Sequence, residues 1–153
     1  MLKYQLVPYT EQDYEFIYDT KKVSYYSYVE QNFGKWDEQA QQKYFEDFMK
    51  ERSKHILIIM VDGKKAGFAE GCEITPYAYE QGNICLLKPF QNKGIGSDIL
   101  INVCKTHKNH DVYIRVFKQN RAKALYERLG FEVYEESSSH YKMVRKASLN
   151  SEE

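Results

Sequence analysis

Cysteine, proline and tryptophan are scarce in this chain of 153 residues, at three, three and one. Cys72, Cys85 and Cys104 are odd in number and contain no Cys-x-x-Cys pair. That excludes a disulfide framework of the secreted kind and fits reduced thiols acting as small buried hydrophobes. So few prolines, with 29% charged and 42% apolar residues, exclude collagenous and disordered classes. Long hydrophobic runs are missing too. The longest, Ile56–Val61, has six residues, where a membrane-spanning helix needs roughly 20. Residues 1–8 hold no apolar core of the length a secretory signal requires, so a cytoplasmic location and no membrane partner are expected. An excess of either charge is also absent: 22 Lys and Arg balance 22 Asp and Glu. Taken globally, that balance argues against a dedicated nucleic-acid binder, which would carry a basic surplus. The length suits one domain over residues 1–145, with a polar tail at 146–153 expected to be frayed.

The element order follows from periodicity. Residues 3–7 read as a short strand stopped by Pro8. Thr10 followed by Glu11, Gln12 and Asp13 reads as a helix start with acidic first-turn residues. A helix to about Val23 buries Tyr14, Ile17, Tyr18 and the stem of Lys21. Residues 25–36, aromatic and interrupted by Gly34, read as a short helix and a loop. Residues 37–52 form a second long helix with Ala40, Tyr44, Phe45, Phe48 and Met49 on one stripe. Residues 55–61 are then a central strand, Asp62-Gly63-Lys64-Lys65 a hairpin turn, and residues 66–74 its partner. Alternation there puts Phe68, Glu70, Cys72 and Ile74 on one face. After a tyrosine-containing loop come a strand at 83–87, a helix at 95–107, a strand at 112–116, a helix at 121–129 and a closing hairpin at 131–134 and 141–144. The strand, helix and strand between Asn83 and Val116 predict a right-handed parallel crossover. The fold class is therefore α/β, with a mixed, mostly antiparallel sheet and flanking helices.

The informative turn is Leu86-Leu87-Lys88-Pro89-Phe90-Gln91-Asn92-Lys93-Gly94-Ile95-Gly96-Ser97, where a strand ends and a helix begins. Free amides at a helix start attract anions, and glycine there lets the main chain approach a phosphate. Neither a Walker loop nor a Rossmann turn matches it. On its own the segment serves a tight turn as readily as a diphosphate site. About 24 residues downstream stands Asn120-Arg121-Ala122-Lys123-Ala124-Leu125-Tyr126-Glu127-Arg128-Leu129-Gly130-Phe131.

Gln-x-x-Gly-x-Gly after a strand, followed by Asn-x-x-Ala-x-x-Leu-Tyr-x-x-x-Gly-Phe, resembles the GNAT superfamily of acyl-CoA-dependent N-acyltransferases. The alanine of the second motif stands one place late here, at Ala124, with Lys123 in its slot. The aromatic stretch around Tyr28 and Trp36 resembles small bacterial members. The resemblance implies acetyl-CoA as co-substrate and no metal. It places the coenzyme between the strand ending at Leu87 and the strand at 112–116. The main chain of Leu86 and Leu87 would pair with the pantetheine arm. Gln91, Asn92, Lys93, Gly94, Ile95, Gly96 and Ser97 would hold the pyrophosphate, and Asn120 would contact the pantetheine. Each has a plainer alternative: core packing for the leucines, a helix cap for Asn120, a solvated charge for Lys93.

Tyr126 takes the family's general-acid position. A phenol with a pKa near 10 facing a thiol near 8.5 makes full proton transfer uphill by roughly 2 kcal/mol, so hydrogen-bond stabilisation of the leaving sulfur is expected as much as transfer. An alkyl ammonium is neutral in only about 0.04% of molecules at pH 7, so the acceptor needs a proton sink. Glu70, in apolar company, is the first candidate, with an edge carboxylate facing solvent as its alternative. Glu73 and Glu30 follow, and Tyr28 is expected near the acceptor. Tyr25, Tyr26, Tyr77 and Tyr79 wall the acceptor site or pack. His55, His107, His110 and His140 show no metal-ligand spacing.

The expected activity is therefore N-acetyl transfer from acetyl-CoA to a primary amine of a small molecule or protein, by a monomer or homodimer that binds no nucleic acid. The alternatives are a non-catalytic CoA-binding module and an RNA- or ribosome-associated acetyltransferase. Charge distribution sharpens the first. Residues 1–87 carry 10 basic and 14 acidic side chains, residues 88–128 carry 9 and 3, and residues 129–153 carry 3 and 5. The basic block coincides with the two motifs that would hold an anionic coenzyme.

Overall fold

The computed structural model describes residues 3–148. Seven strands are hydrogen-bonded in the order β1-β2-β3-β4-β5-β7-β6. They are β1 (Gln5–Pro8), β2 (Ile56–Val61), β3 (Lys64–Thr75), β4 (Ala78–Leu86), β5 (Asp111–Phe117), β6 (Glu132–Glu136) and β7 (His140–Arg145), and the helices are α1 (Tyr14–Phe33), α2 (Glu38–Arg52), α3 (Ile95–Thr106) and α4 (Ala122–Arg128). The β1–β2, β2–β3, β5–β7 and β6–β7 pairs are antiparallel. β4 and β5, joined through α3, run parallel with Ala78 opposite Asp111 and Glu80 opposite Tyr113. The mixed, mostly antiparallel sheet and the parallel crossover are as expected. No helix among the described residues is long and apolar enough to cross a membrane.

The chain forms two compact units, residues 1–70 with 83–96, and residues 71–82 with 97–153. In the first, Ile17 of α1, Phe45 and Met49 of α2, Ile56 and Ile58 of β2, Phe68 of β3 and Cys85 of β4 form a buried cluster. Phe45 is central to it, with Tyr14 and Tyr18 set edge-on at 5.0 and 5.1 Å. Asp62 and Gly63 both take positive φ, 51° and 76°, so the hairpin turn expected over residues 62–65 tightens to these two residues and β3 begins at Lys64. Thr10 N–H donates to the Asp13 carboxylate at 3.0 Å, and Lys65 pairs with Asp13 at 2.5 Å. The predicted N-terminal cap is therefore present, but it opens a short 3-10 turn, Glu11–Asp13, that leads into α1.

Two expectations about element length are corrected. The helix expected to stop near Val23 continues as one piece to Phe33, through the aromatic stretch assigned to a short helix and a loop. Nothing in 24–33 breaks a helix, and the stop comes at Gly34, whose φ is 93°. The loop expected before Asn83 is mostly strand: β4 begins at Ala78, so only Pro76 and Tyr77 form the turn. Glu80, Gln81 and Gly82 disguise it, although Gln81 is 3% exposed.

The N-terminus of α2 is capped by Asp37, which accepts from Ala40 N–H at 3.1 Å. Glu38 then ties α2 to α1: Lys22 Nζ lies 2.6 Å from its carboxylate, and the hydroxyl of Tyr18 donates to it. The Lys22 ammonium and then the Tyr18 hydroxyl hold the Glu38 carboxyl down at about 2. Because that lies below the ordinary value of about 4.3, the stability Glu38 contributes is complete above that ordinary value and fades as pH falls toward 2. Wild type should accordingly lose more stability than Glu38→Gln between pH 5 and pH 2. Urea midpoints across that range test it, and parallel curves refute it.

In the second unit β5 is central, with Val112, Ile114 and Val116 buried alongside Met143 and Val144 of β7. Ile114 sits opposite Met143 in the antiparallel register. The segment expected to fray is held as far as Ser148: Ala147 N–H donates to Asp111 at 2.8 Å and Ser148 N–H to the Lys108 carbonyl at 2.7 Å. Residues 149–153 lie outside the described set.

Candidate active site

The first unit carries the loop singled out by its glycines. β4 ends at Leu86, whose carbonyl accepts from the Gln91 side chain at 2.8 Å. Leu87 N–H donates to Ala66 O of β3 at 2.8 Å, and its carbonyl accepts from Phe90 N–H at 2.9 Å. The main chain expected to pair with pantetheine is thus partly engaged within the protein, with Gln91 clamping the strand end to the loop. Gln91, Asn92, Lys93 and Gly94 are exposed and Ile95 is fully buried. Asn92 and Gly94 have φ of 59° and 87°. Two left-handed residues in so short a span turn the amides sharply into α3, a geometry that Asn and Gly tolerate best. Lys93 lies between them, and Lys88 adds a second cation earlier in the loop.

Gly96 is the second residue of α3. The protein's own packing does not require it, since a Cβ there would meet Ile84 Cγ2 at 3.7 Å and Leu86 Cδ1 at 4.0 Å, ordinary contact distances. A glycine that the protein's own packing does not demand, beside an exposed loop carrying a lysine, is what close main-chain approach to a diphosphate would call for. Gly96→Ala should therefore keep or slightly raise thermal stability while weakening coenzyme A binding roughly tenfold to a hundredfold. Calorimetric titration with coenzyme A beside a melting curve tests this, and unchanged affinity would rule out close contact at Gly96.

The second unit carries Asn120 and Tyr126, with Ser97 half-buried at the start of its share of α3. Asn120 Oδ1 accepts from Ala122 N–H at 2.9 Å, an Asx turn one residue ahead of the helix N-cap, which is Arg121 and not Asn120. The Tyr-x-x-x-Gly-Phe spacing has a direct physical reading. Phe131 N–H donates to the Tyr126 carbonyl at 3.0 Å, and Gly130 N–H to the Glu127 carbonyl at 3.0 Å. With Gly130 at φ 97°, these are the two bonds of a Schellman stop. Phe131, 2% exposed, packs beside the Tyr126 ring at 6.0 Å between centroids. Arg145 Nε adds a bond to the Leu129 carbonyl at 2.9 Å, placing a cation at the helix C-terminus. Tyr126 itself is half-buried.

Glu70 is buried, at 4%, but not in apolar isolation. Arg52 Nε and a terminal guanidinium nitrogen reach its Oε1 at 2.9 and 2.6 Å. Its Oε2 accepts from the backbone N–H and side chain of Asn83 at 2.7 and 3.2 Å. Both oxygens are engaged, so an incoming proton would have to displace a hydrogen bond. This geometry describes a holding residue better than a proton sink. Arg52 and Asn83 are the residues that reading the sequence missed. They stand 18 and 13 positions from Glu70, and no local spacing links them.

The other acceptor-site candidates separate. Tyr28 is half-buried on α1 with its ring 6.4 Å from Tyr25, whose hydroxyl donates to Asn83 Oδ1 at 2.6 Å. Glu30 is exposed and accepts from Trp36 N–H at 3.2 Å, while Tyr26 stacks on Trp36 at 5.2 Å. Glu73 belongs to the second unit, where it meets His110 Nε2 at 2.7 Å. There His110 stands edge-on to His107, which stacks on Tyr79 at 3.9 Å. Tyr77 is 77% exposed. Among the described residues no group of three or more His, Cys, Asp or Glu is arranged to hold a metal. Cys85 and Cys104 are buried thiols, each pushed up chiefly by desolvation, and unsuited to nucleophilic work.

The profile of the acetyltransferase (GNAT) domain matches residues 52–133. No curated protein matches the sequence. Solved structures are similar along nearly the whole chain. PH1933 from Pyrococcus horikoshii OT3 is 21% identical with a TM-score of 0.73, covering 96% of this chain and 100% of its own. The PaiA N-acetyltransferase from Thermoplasma acidophilum, in complex with coenzyme A, is 20% identical with a TM-score of 0.69, covering 95% and 99%. Arabidopsis thaliana Naa50, in complex with the bisubstrate analogue CoA-Ac-MVNAL, is 15% identical with a TM-score of 0.65, covering 95% and 99%. With the profile spanning more than half its length and the glycine loop and the tyrosine helix both inside that span, the chain belongs to the GNAT acetyltransferase family.

Proposed function

We propose that the protein transfers the acetyl group of acetyl-CoA directly to a primary amine, with Tyr126 as the acid. The observation that carries this reading is the turn into α3: Asn92 and Gly94 take positive φ on either side of the exposed Lys93, and Gly96 follows although the fold's own packing would admit a Cβ there. Leu86, Leu87 and residues 91–97 are proposed to hold the coenzyme through main-chain groups, with Asn120 contributing from the start of α4.

The chemistry asked of the side chains is limited. The amine lone pair attacks the thioester carbonyl, the carbon–nitrogen bond forms and the carbon–sulfur bond breaks. The Tyr126 hydroxyl donates to the departing sulfur. The amine's surplus proton leaves to water, since Glu70 is occupied by Arg52 and Asn83. We assign Glu70 a positioning role on β3, keeping Asn83 and hence β4 in place ahead of the coenzyme loop.

Thiol release from acetyl-CoA across a panel of amines tests the proposal. Amine-dependent release stoichiometric with acetylated product is expected. Coenzyme binding without release from any amine would instead identify a CoA-binding module.

A further inference from the structure

Several lysines of this protein are held by carboxylates: Lys22 by Glu38, Lys65 by Asp13, Lys118 by Glu136 and Lys142 by Glu135. Lys21, half-buried on α1, is in no such close ion pair among the described residues and feels a carboxylate, Glu70, only through space. Its Nζ instead faces two rings, 4.9 Å from the centroid of Tyr25 and 5.1 Å from that of Phe48 on α2.

The surrounding charges do not balance. Glu70 on β3 is the carboxylate near Lys21, and Arg52 already holds it at 2.6 Å. Its other oxygen is taken by Asn83, which is fixed in turn by Tyr25. Cys85 on β4 also faces Lys21, but burial pushes its thiol up, so it stays neutral. Two cations therefore share one carboxylate, and burial presses the Lys21 ammonium toward losing its proton. A single negative charge delivered beside Lys21 would neutralise the cluster, whereas a dianion would overshoot. Asn83 and Cys85, two apart on one face of β4, lie just before Leu86 and the coenzyme loop, and Lys21, Tyr25, Phe48, Arg52, Glu70, Asn83 and Cys85 all belong to the first unit.

We propose that Lys21, walled by Tyr25 and Phe48, receives a carboxylate carried by the acceptor, making the substrate class amines with a carboxylate, such as amino acids, rather than plain amines or polyamines. The assignment rests on the N-acetyltransferase reading above. It makes Lys21 a specificity-determining residue. A charge-assisted hydrogen bond of this kind corresponds to a roughly tenfold to hundredfold preference.

Matched acceptors test it: phenylalanine against phenethylamine, and lysine against cadaverine, assayed for thiol release. In wild type the carboxylated member of a pair should show at least a roughly tenfold higher kcat/KM. Lys21→Met should bring that ratio close to one, and Lys21→Arg should restore it, with melting curves confirming that both variants fold. A ratio near one in wild type, or one that survives Lys21→Met, overturns the proposal. If no amine supports release, the N-acetyltransferase reading fails while the subsite remains testable by NMR. N-acetylphenylalanine should then shift the Lys21 ε-methylene resonances and N-acetylphenethylamine should not, and no shift with either overturns it.

Discussion

Tyr126→Phe is expected to lower kcat by about a hundredfold while leaving coenzyme A affinity close to wild type. General acid catalysis contributes roughly a hundredfold to ten-thousandfold. The lower end applies because the phenol is a weaker acid than the thiol it serves, so its contribution comes largely through a strengthened hydrogen bond to sulfur. The substitution removes one oxygen and leaves the main-chain bonds from Gly130 and Phe131 that stop α4. Loss of turnover would therefore report on chemistry rather than on unfolding. Steady-state rates with a saturating amine, beside calorimetric titration with coenzyme A, decide the matter. Turnover within a few-fold of wild type would remove the acid role.

The largest stability effect should come from Arg52→Met, which leaves the Glu70 carboxylate, 3% exposed in its side chain, without its guanidinium. Removing one partner of a buried ion pair costs about 3–5 kcal/mol, and the 19% exposure of the Arg52 side chain puts the expectation near the lower figure. Urea unfolding reads this directly. The same variant separates two roles for Glu70. A carboxylate kept for positioning should show the stability loss, together with a pH–rate profile that Glu70→Gln leaves unmoved. A proton acceptor should show little stability loss and a profile whose acidic limb disappears in Glu70→Gln.

Element type was largely legible in the sequence, because period-2 and period-3.6 patterns survive wherever one face is buried. Of the α3 stripe Ile95, Ile99, Leu100, Val103 and Cys104, all but the half-buried Val103 are buried, at 6% exposure or less. The misreadings arose where chemistry and pattern diverge. The second half of α1 carries aromatic residues on faces that remain exposed, such as Tyr26 at 42% and Phe33 at 64%, so no single stripe marks it. The first half of β4 looks polar because Gln81 is buried with its amide intact. Of the candidate site, the parts held by consecutive residues were readable: the turn at 91–94 and the stop at Gly130. Parts assembled from distant residues were not. Glu70 in sequence sits between apolar neighbours, and only the structure shows Arg52 and Asn83 on its oxygens. Lys21 likewise reads as a surface lysine with a buried stem, because its two rings arrive from different helices.

The way α4 ends has a consequence for how such chains are recognised. Glycine and phenylalanine follow the tyrosine at a set interval because a helix terminates there through its own main chain, and that termination works with any side chain four residues before the glycine. The pattern is thus a ruler that measures where a phenol would stand, independent of whether a phenol stands there. A descendant that lost Tyr126 would keep the same ruler, the same fold and the same resemblance to acetyltransferases. The resemblance therefore follows the main chain at the end of a helix, and not the one oxygen atom to which the acid role is assigned.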